Sequence, residues 1–219
     1  MKWIYIAACA AFFVKMLVPF EPAPELPFSI VDAIVQDSGV PNAVAGILFR
    51  NRLYDTILEV VVFTIAVGGA HFLLENEHPA ATIRPITDPP AIIMARLGST
   101  IAALVGIELA LRGHLSPGGG FAAGVAGGTA IGLAAMTSPP ERMAAAYERW
   151  RAAFWEKVSV GIFLLLAVMT LAGAELPRGD FGTLISGGIL PVLNVLVAVK
   201  VALGSWAIVL TFIRHRGLL

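Results

Sequence analysis

Gly113–Phe121, with the sequence GHLSPGGGF, joins two long apolar segments and begins the second of them with a run of glycines. Glycine then recurs at every fourth position, at Gly120, Gly124, Gly128 and Gly132. Side chains four residues apart lie on the same face of a helix, so this spacing leaves one face bare. Small residues with this spacing let membrane helices approach to backbone distance. The stretch therefore predicts a membrane helix that packs closely against another helix.

The composition is that of an integral membrane protein. Hydrophobic residues make up 58% of the 219 residues and charged residues only 14%, whereas soluble domains average about 25% charged residues. The predicted fold class is therefore an all-α, polytopic membrane protein. Fifteen basic residues balance fifteen acidic ones, and no basic tract suits a nucleic-acid partner. The single Cys9 and four separated histidines predict neither a disulfide framework nor a metal site, and we expect no cofactor.

Six apolar runs approach the roughly 20 residues needed to cross a bilayer, namely 3–19, 53–75, 91–112, 118–137, 157–174 and 187–213. Prolines, glycines and charged residues separate these runs. Residues 40–50 are apolar but too short to span, which predicts a short helix that does not cross and that packs on other protein. In the first run, Lys15 and the prolines from Pro19 onward favour a retained helix over a cleaved signal peptide, which is the alternative.

Basic residues are divided unevenly between the two sets of loops. The set that includes the N-terminus carries Arg84, Arg142, Arg149, Arg151, Lys157, Arg214 and Arg216. The opposite set carries only Arg50, Arg52, Arg112 and Arg178. Because short cytoplasmic loops are the richer ones, both termini are predicted to face the cytoplasm. Residues 141–156 are predicted to form an amphipathic surface helix with Trp150 and Trp155 at the lipid headgroups.

The second part of the chain, about residues 91–216, resembles the B subunit of Mrp-type multisubunit sodium/proton antiporters. The residues that carry the resemblance are the loop and the glycine-rich helix that follows it, including His114, Pro117, Gly118, Gly119, Gly120, Phe121, Gly124, Gly128 and Gly132. Ala122 stands where the family often has glutamine. The resemblance implies four membrane helices with this loop between the first two. Residues 81–219 are accordingly predicted to form an MnhB-like domain.

The first part resembles a different piece of the same machinery. The segments Pro41–Val44, Ile47–Arg50 and Asp55–Glu59 are similar to a small module at the C-terminal end of the large Mrp A subunit. The same module occurs as the small E subunit of membrane-bound hydrogenases and in their sulfur-reducing relatives. Residues 1–80 are therefore predicted to be this module, and the chain resembles a fusion of two adjacent subunits.

The resemblance implies a transporter subunit rather than an enzyme. The expected partners are the other subunits of a Mrp-type complex, the lipid of a prokaryotic cell (inner) membrane, and Na⁺ and H⁺ as transported ions. A redox-driven complex of the hydrogenase or sulfur-reductase type is the first alternative. A stand-alone transporter or a purely structural scaffold is the second, although so few paired acids make an independent antiporter a poor fit.

Two acidic residues near the start of the second apolar run are ion-path candidates. Asp55 and Glu59 are four residues apart and therefore share a helix face. A carboxylate inside a membrane helix is costly and marks candidate proton or Na⁺ carriers. The resemblance implies a functionally important acid at Glu59. The alternative is that Thr56 and Glu59 form a capping box at a helix start.

Lys200 is the third ion-path candidate because it lies at the midpoint of the last apolar run. An ammonium there costs a few kcal/mol or more on insertion scales, so it must face protein or water and have a partner. The alternative is that the side chain snorkels to the surface, but about 20 Å of helix on either side exceeds its reach. Asn194 lies nearby on the same run.

The other candidates have strong structural alternatives. Glu108, as an ion-path residue, competes with an ordinary i,i+4 pair to Arg112. His71, four residues before Glu75, suits either a proton relay or an interfacial structural role. His114 is expected to anchor its loop. No strand precedes this glycine loop and no lysine follows it in phosphate-loop spacing, so nucleotide binding is excluded.

Overall fold

The computed structural model describes residues 13–14, 29–79 and 83–216. The chain divides into two compact units, Met1–Ile30 and Val31–Leu219, and the helices that follow lie, apart from Ile30, in the second unit. The α-helices are α1 (Ile30–Ser38), α2 (Ala43–Gly46), α3 (Leu53–Leu74), α4 (Pro89–Arg112), α5 (Gly120–Met136), α6 (Pro140–Arg149), α7 (Ala152–Leu171) and α8 (Leu190–Arg216). A π-helical turn, Ile47–Asn51, continues α2.

Local sequence explains where several helices begin. The Asp88 side chain caps α4 by accepting a hydrogen bond of 3.2 Å from the Ala91 N–H, and prolines follow it at the first helical positions, where a missing N–H does no harm. Ahead of α5, Gly118 and Gly119 have φ of +157° and +152°, which side chains disfavour. The glycine run is therefore the turn that reverses the chain between α4 and α5.

Helix α8 is the centre of the unit. It packs on α5, α7, α3 and α4. Its buried residues Leu193, Val197 and Val201 join Phe163 of α7 and Val60 of α3 in one apolar core. The outer helices are much less buried. Only 6% of the apolar stretch of α4 is buried inside the chain. The rest of this chain therefore leaves most of the apolar surface of α4 uncovered.

The glycine stripe of α5 faces α8. A β-carbon at Gly120, Gly124 or Gly128 would lie within 2.8 Å of side-chain atoms of α8, at Val197, Val201 and Ser205 respectively. Such distances are shorter than carbon–carbon contacts allow, so glycine is what permits this approach. Gly132, the fourth member, has open space around its Cα. Three glycines of the stripe therefore pack inside this chain, while the fourth leaves a gap at the surface.

Three loops come together at one end of the bundle. The Asn42 side chain donates hydrogen bonds of 2.7 and 2.8 Å to the Gly113 and Ser116 carbonyls. His114 is fully buried and its Nε2 donates to the Thr183 carbonyl at 3.3 Å. The short helix before α3, the glycine loop and the loop 172–189 are therefore joined. These are the loops that the arginine distribution assigns to one side of the membrane.

Part of the predicted span count is confirmed. Among the described residues, four helices are long and apolar enough to cross a membrane, namely α3, α4, α7 and α8. Helix α5, predicted as a span over 118–137, is apolar but has 17 residues, which is the lower limit for crossing. The predicted first span, 3–19, lies outside the described residues except at 13–14. Six spans are therefore not confirmed, whereas residues 40–50 do form short helical segments.

Candidate functional site

Among the described residues, one ion pair is buried in the core of the unit. Lys200 of α8 is 1% exposed, and its Nζ donates a hydrogen bond to Oε1 of Glu156 in α7, whose side chain is 12% exposed. Burial of a lysine needs a counter-charge because desolvation of a lone ammonium is expensive. The sequence predicts that Lys200 needs a partner, and in the structure that partner is Glu156. The snorkelling alternative does not apply, since the ammonium ends inside the protein.

A glycine one turn after Lys200 makes room for this pair. A β-carbon at Gly204 would lie 2.8 Å from Cε1 of Phe63, 3.2 Å from Cγ2 of Val67 and 3.3 Å from Oε1 of Glu156. The bare position lets α3 and the carboxylate approach α8 at the same level. Lys200 Nζ also lies 5.1 Å from the centre of the Phe63 ring, a distance at which a cation is attracted to the ring face.

Glu156 is the site residue that the sequence interpretation missed. The predicted surface helix over 141–156 was wrong in its extent: α6 ends at Arg149, and α7 begins at Ala152. The break between them is a left-handed residue, Arg151, with φ of +49°. Apolar residues at 152–155 were the available signal, because they show that the membrane helix begins before Glu156 and carries it inside.

Glu59 lines a groove on the surface of the unit. The groove measures about 620 Å³, and its walls are residues of the π-helical turn, α3 and the glycine loop, including Thr56, Glu59, Phe63, Gly119 and Phe121. The capping-box alternative does not fit, because α3 begins at Leu53 and the Thr56 hydroxyl donates instead to the Leu48 carbonyl at 2.8 Å. Glu59 therefore projects from within the helix, beside the bare backbone of the glycine loop.

The remaining ion-path candidates lie apart from the buried pair. Asp55 forms an ion pair with Arg52 at the start of α3. Glu108 pairs with Arg112 at 3.2 Å on the exposed surface of α4, which is the arrangement of the structural alternative. His71 is exposed near the end of α3. Phe63 lines the same groove as Glu59 and also lies near the Lys200 ammonium, whereas the ion pairs of Asp55 and Glu108 are with neighbouring arginines.

The glycine-loop end contains buried polar groups in a tight arrangement. Asn194 donates hydrogen bonds of 3.1 and 2.7 Å to the Leu109 and Ala110 carbonyls, at the last turn of α4. Burial lowers the pKa of His114, which keeps its ring neutral. His114 thus fits the predicted role of a loop anchor. Asn42 and Asn194 supply further anchors that the loop motif alone does not reveal.

A charged cluster lies at the same end. Arg50 of the π-helical turn contacts Asp37 of α1 at 2.7 Å and Glu175 of the loop 172–189 at 2.9 Å. The Arg50 hydrogen bond lowers the pKa of the Asp37 carboxyl, and the same guanidinium lowers the pKa of Glu175. In the described part of the chain, no group of three or more histidine, cysteine or acidic residues could hold a metal ion.

Comparison with known families identifies the second part of the chain. The model of domains related to the MnhB subunit of Na⁺/H⁺ antiporters matches residues 90–207, which is more than half of the chain. The chain belongs to this family. The MnhB-related region runs from the start of α4 into α8, and it contains the glycine loop, Glu156 and Lys200. No curated protein matches the chain significantly.

Two solved structures share the fold. A chain of the archaeal membrane-bound sulfane sulfur reductase, a respiratory membrane complex, matches with a TM-score of 0.72 and 23% identity over 97% of both chains. A chain of the Mrp complex from Dietzia sp. DQ12-45-1b matches with a TM-score of 0.63 and 20% identity over 97% of this chain. The match spans only 25% of that Mrp chain. This chain therefore shares its fold with a whole chain of the reductase complex and with about a quarter of a longer chain of the Mrp complex.

Proposed function

We propose that this chain is a membrane subunit of an Mrp-type antiporter that exchanges Na⁺, or another monovalent cation, for protons across a prokaryotic cell membrane. It works with other subunits in the lipid bilayer and is a part of a transporter, not an enzyme. Glu59 and the Lys200–Glu156 pair belong to a polar path that this chain contributes to the complex. Asp55, Glu108 and His71 lie at the surface of the chain, where they meet partner subunits or water.

The observation that carries the proposal is the buried ion pair. Helices can be held together by apolar side chains alone, and replacing a buried ion pair with apolar residues is often neutral or even stabilising. Packing α7 against α8 therefore does not require a charged pair at 1% and 12% exposure. Ionisable residues within membrane helices mark ion paths as a rule. In a chain of an antiporter-related family, ion movement is the function that accounts for a charged pair whose burial is costly.

Phe63 connects the two polar groups of the proposed path. The centre of its ring lies 5.1 Å from the Lys200 ammonium, and Phe63 also lines the groove that contains Glu59. Phe63 therefore belongs both to the wall of the groove and to the surroundings of the buried pair. The path runs from the groove past Phe63 to the pair.

A redox-driven complex is the second candidate. The reductase chain matches 97% of both chains with the higher TM-score, so a free-standing subunit of this length occurs in that kind of assembly. In such a complex the same polar path would be driven by electron transfer in other subunits. The predicted division into residues 1–80 and 81–219 and the cytoplasmic placement of both termini are parts of the proposal in either case.

Everted membrane vesicles distinguish the two candidates. The complete complex is expressed in cells that lack their own Na⁺/H⁺ antiporters, and Na⁺ is added after a pH gradient is formed. The antiporter proposal predicts that Na⁺ dissipates the gradient without an electron donor to the complex, and that Glu59→Gln lowers the rate while assembly is kept. Asp180→Asn, in an exposed loop, is the matched control and leaves the rate unchanged. Redox subunits in the purified complex, with no Na⁺ response, would support the second candidate.

A further inference from the structure

Four basic side chains are exposed where α6 meets α7. Helix α6 carries Arg142 and Arg149, the left-handed residue between the two helices is Arg151, and the second turn of α7 carries Lys157. None of the four forms an ion pair with an acidic side chain in the part of the chain that the structure describes. The chain therefore presents four exposed positive charges here that it does not itself neutralise.

The acidic residues of α6 lie on a different face of that helix. Glu141 and Glu148 are seven residues apart, so they share one face, and both line a cavity together with Arg214 of α8. Arg142 and Arg149 have the same spacing and share the adjacent face, where both are exposed. Helix α6 thus separates its charges, with its acids near a basic residue of α8 and its arginines on the outside.

Exposed aromatic rings lie around the Arg151 guanidinium. The guanidinium carbon is 4.7 Å from the centre of the Phe154 ring. Phe154 meets Trp155 edge to face, with 5.5 Å between the ring centres, and both rings are exposed. Trp150, directly before Arg151, is 70% exposed. Tryptophan is enriched where membrane proteins meet the lipid headgroups, so this combination is typical of a membrane–water boundary.

The length of α7 places these side chains at the lipid headgroups. The helix has 20 residues, which at 1.5 Å per residue extend about 30 Å, the thickness of the hydrocarbon core of a bilayer. Arg151 directly precedes the helix and therefore lies at headgroup level when α7 crosses the membrane. Lys157 is within two turns of that end, and its long apolar stem lets the ammonium extend back to the same level.

We propose that the exposed basic face formed by Arg142, Arg149, Arg151 and Lys157 binds anionic phospholipid in the leaflet at this end of the bundle. Basic side chains next to a membrane helix attract lipids of net negative charge, and the neighbouring aromatic rings pack among their headgroups and upper acyl chains. Lipid fits better than a partner subunit because the four charges lie at the depth of the headgroup phosphates. This binding requires no ion movement through the chain, so it stands or falls apart from the proposed function.

Fluorescence quenching by brominated lipids tests this site directly. The complete complex, with Cys9 and its other native cysteines replaced by serine, carries a fluorophore on Ala153→Cys, which is exposed between Arg151 and Lys157. Its vesicles contain equal amounts of phosphatidylglycerol and phosphatidylcholine, of which only one is brominated in its acyl chains. We expect brominated phosphatidylglycerol to quench at least about twofold more strongly, since one basic residue at the membrane surface favours anionic lipid by about fivefold.

A second position and two sets of variants are the controls. Val168→Cys, exposed near the other end of α7, should be quenched equally by the two lipids. Arg149→Gln, Arg151→Gln and Lys157→Gln together should abolish the preference at Ala153→Cys, whereas Arg149→Lys with Arg151→Lys should retain it. Equal quenching at Ala153→Cys in the otherwise native chain, or a preference that survives the glutamine variant, would overturn the proposal. Quenching by neither lipid would also overturn it and would show that another subunit covers this face.

Discussion

Lys200 and Glu156, 44 residues apart in sequence, form an ion pair between the last two membrane helices. The pair lies beside the apolar core of α3, α7 and α8 and under the ring of Phe63. Gly204 provides the space that the carboxylate occupies. We expect this charge pair to affect both the stability of the chain and its part in proton exchange. Experiments can separate these two effects.

Removing one charge of the pair should destabilise the chain strongly. Glu156→Gln leaves the buried ammonium of Lys200 without its counter-charge, and breaking a buried pair in this way costs about 3–5 kcal/mol. Lys200→Met combined with Glu156→Gln removes both charges and should recover most of that loss. Thermal unfolding of the purified complex in detergent measures both changes. Equal stability of the single and double variants would contradict the ion-pair assignment.

The glycine stripe gives a prediction with an internal control. Leucine at Gly124 meets Val201, where even a β-carbon would lie 2.4 Å from the neighbouring side chain, and overpacking of this kind costs about 1–3 kcal/mol. Leucine at Gly132 enters open space within the chain. Thermal unfolding of the purified chain should therefore show a lower midpoint for Gly124→Leu alone. If Gly132→Leu lowers it equally, α5 and α8 do not pack in this register.

Asn42 should hold the short helical segment before α3 onto the glycine loop. Its side chain caps α2 by accepting from the Val44 N–H at 3.1 Å and donates to two carbonyls of the loop. Asn42→Ala removes all of these, and a lost helix cap alone costs about 1 kcal/mol. Hydrogen exchange should quicken in residues 43–51 and 113–119 together. Asn76→Ala, in the exposed turn after α3, serves as the control and leaves both segments protected.

The Arg50 cluster predicts a local dependence on pH. Arg50 lowers the pKa values of Asp37 and Glu175 below their ordinary 3.8 and 4.5. The stabilisation that these two ion pairs give to the folded chain is therefore complete above the ordinary pKa values. It is lost as the pH falls through the lowered pKa values of Asp37 and Glu175. These side chains are partly exposed, so the gain is small and weakens with salt. Hydrogen exchange in the loop 172–189 should rise below about pH 4. Arg50→Gln should raise exchange at neutral pH and remove the acid-induced increase.

Much of the fold can be predicted from sequence because membrane helices are recognised by their length and apolarity. The limits of α3, α4 and α8 fall close to the predicted ones, and residues 40–50 are short helical segments as expected. The start of α7 was missed because Arg149, Arg151, Glu156 and Lys157 together resemble a surface segment. Only the left-handed turn at Arg151, which local sequence does not dictate, separates α6 from α7.

The sequence predicts that the charge of Lys200 is costly to bury, but it does not predict which residue pairs with it. Lys200 is anomalous in any apolar run, so its need for a partner can be inferred from sequence alone. The identity of that partner depends on how α7 and α8 pack, and Glu156 lies near a helix end where carboxylates are ordinary. The same holds for Phe63, whose nearness to both the Glu59 groove and Lys200 is a product of packing. Three-dimensional contact, rather than residue type, defines these roles.

Na⁺-driven proton exchange by the charge-neutral double variant is the most direct test of the central claim that the Lys200–Glu156 pair is part of an ion path. Vesicles carry the complete complex with Lys200→Met and Glu156→Gln, and native gels establish that assembly equals that of the wild type. The account predicts an assembled complex whose exchange rate is reduced by at least about tenfold, as expected when a positioned proton-transfer group is lost. Exchange at the wild-type rate in that assembled variant would contradict the claim and would leave this chain as a scaffold.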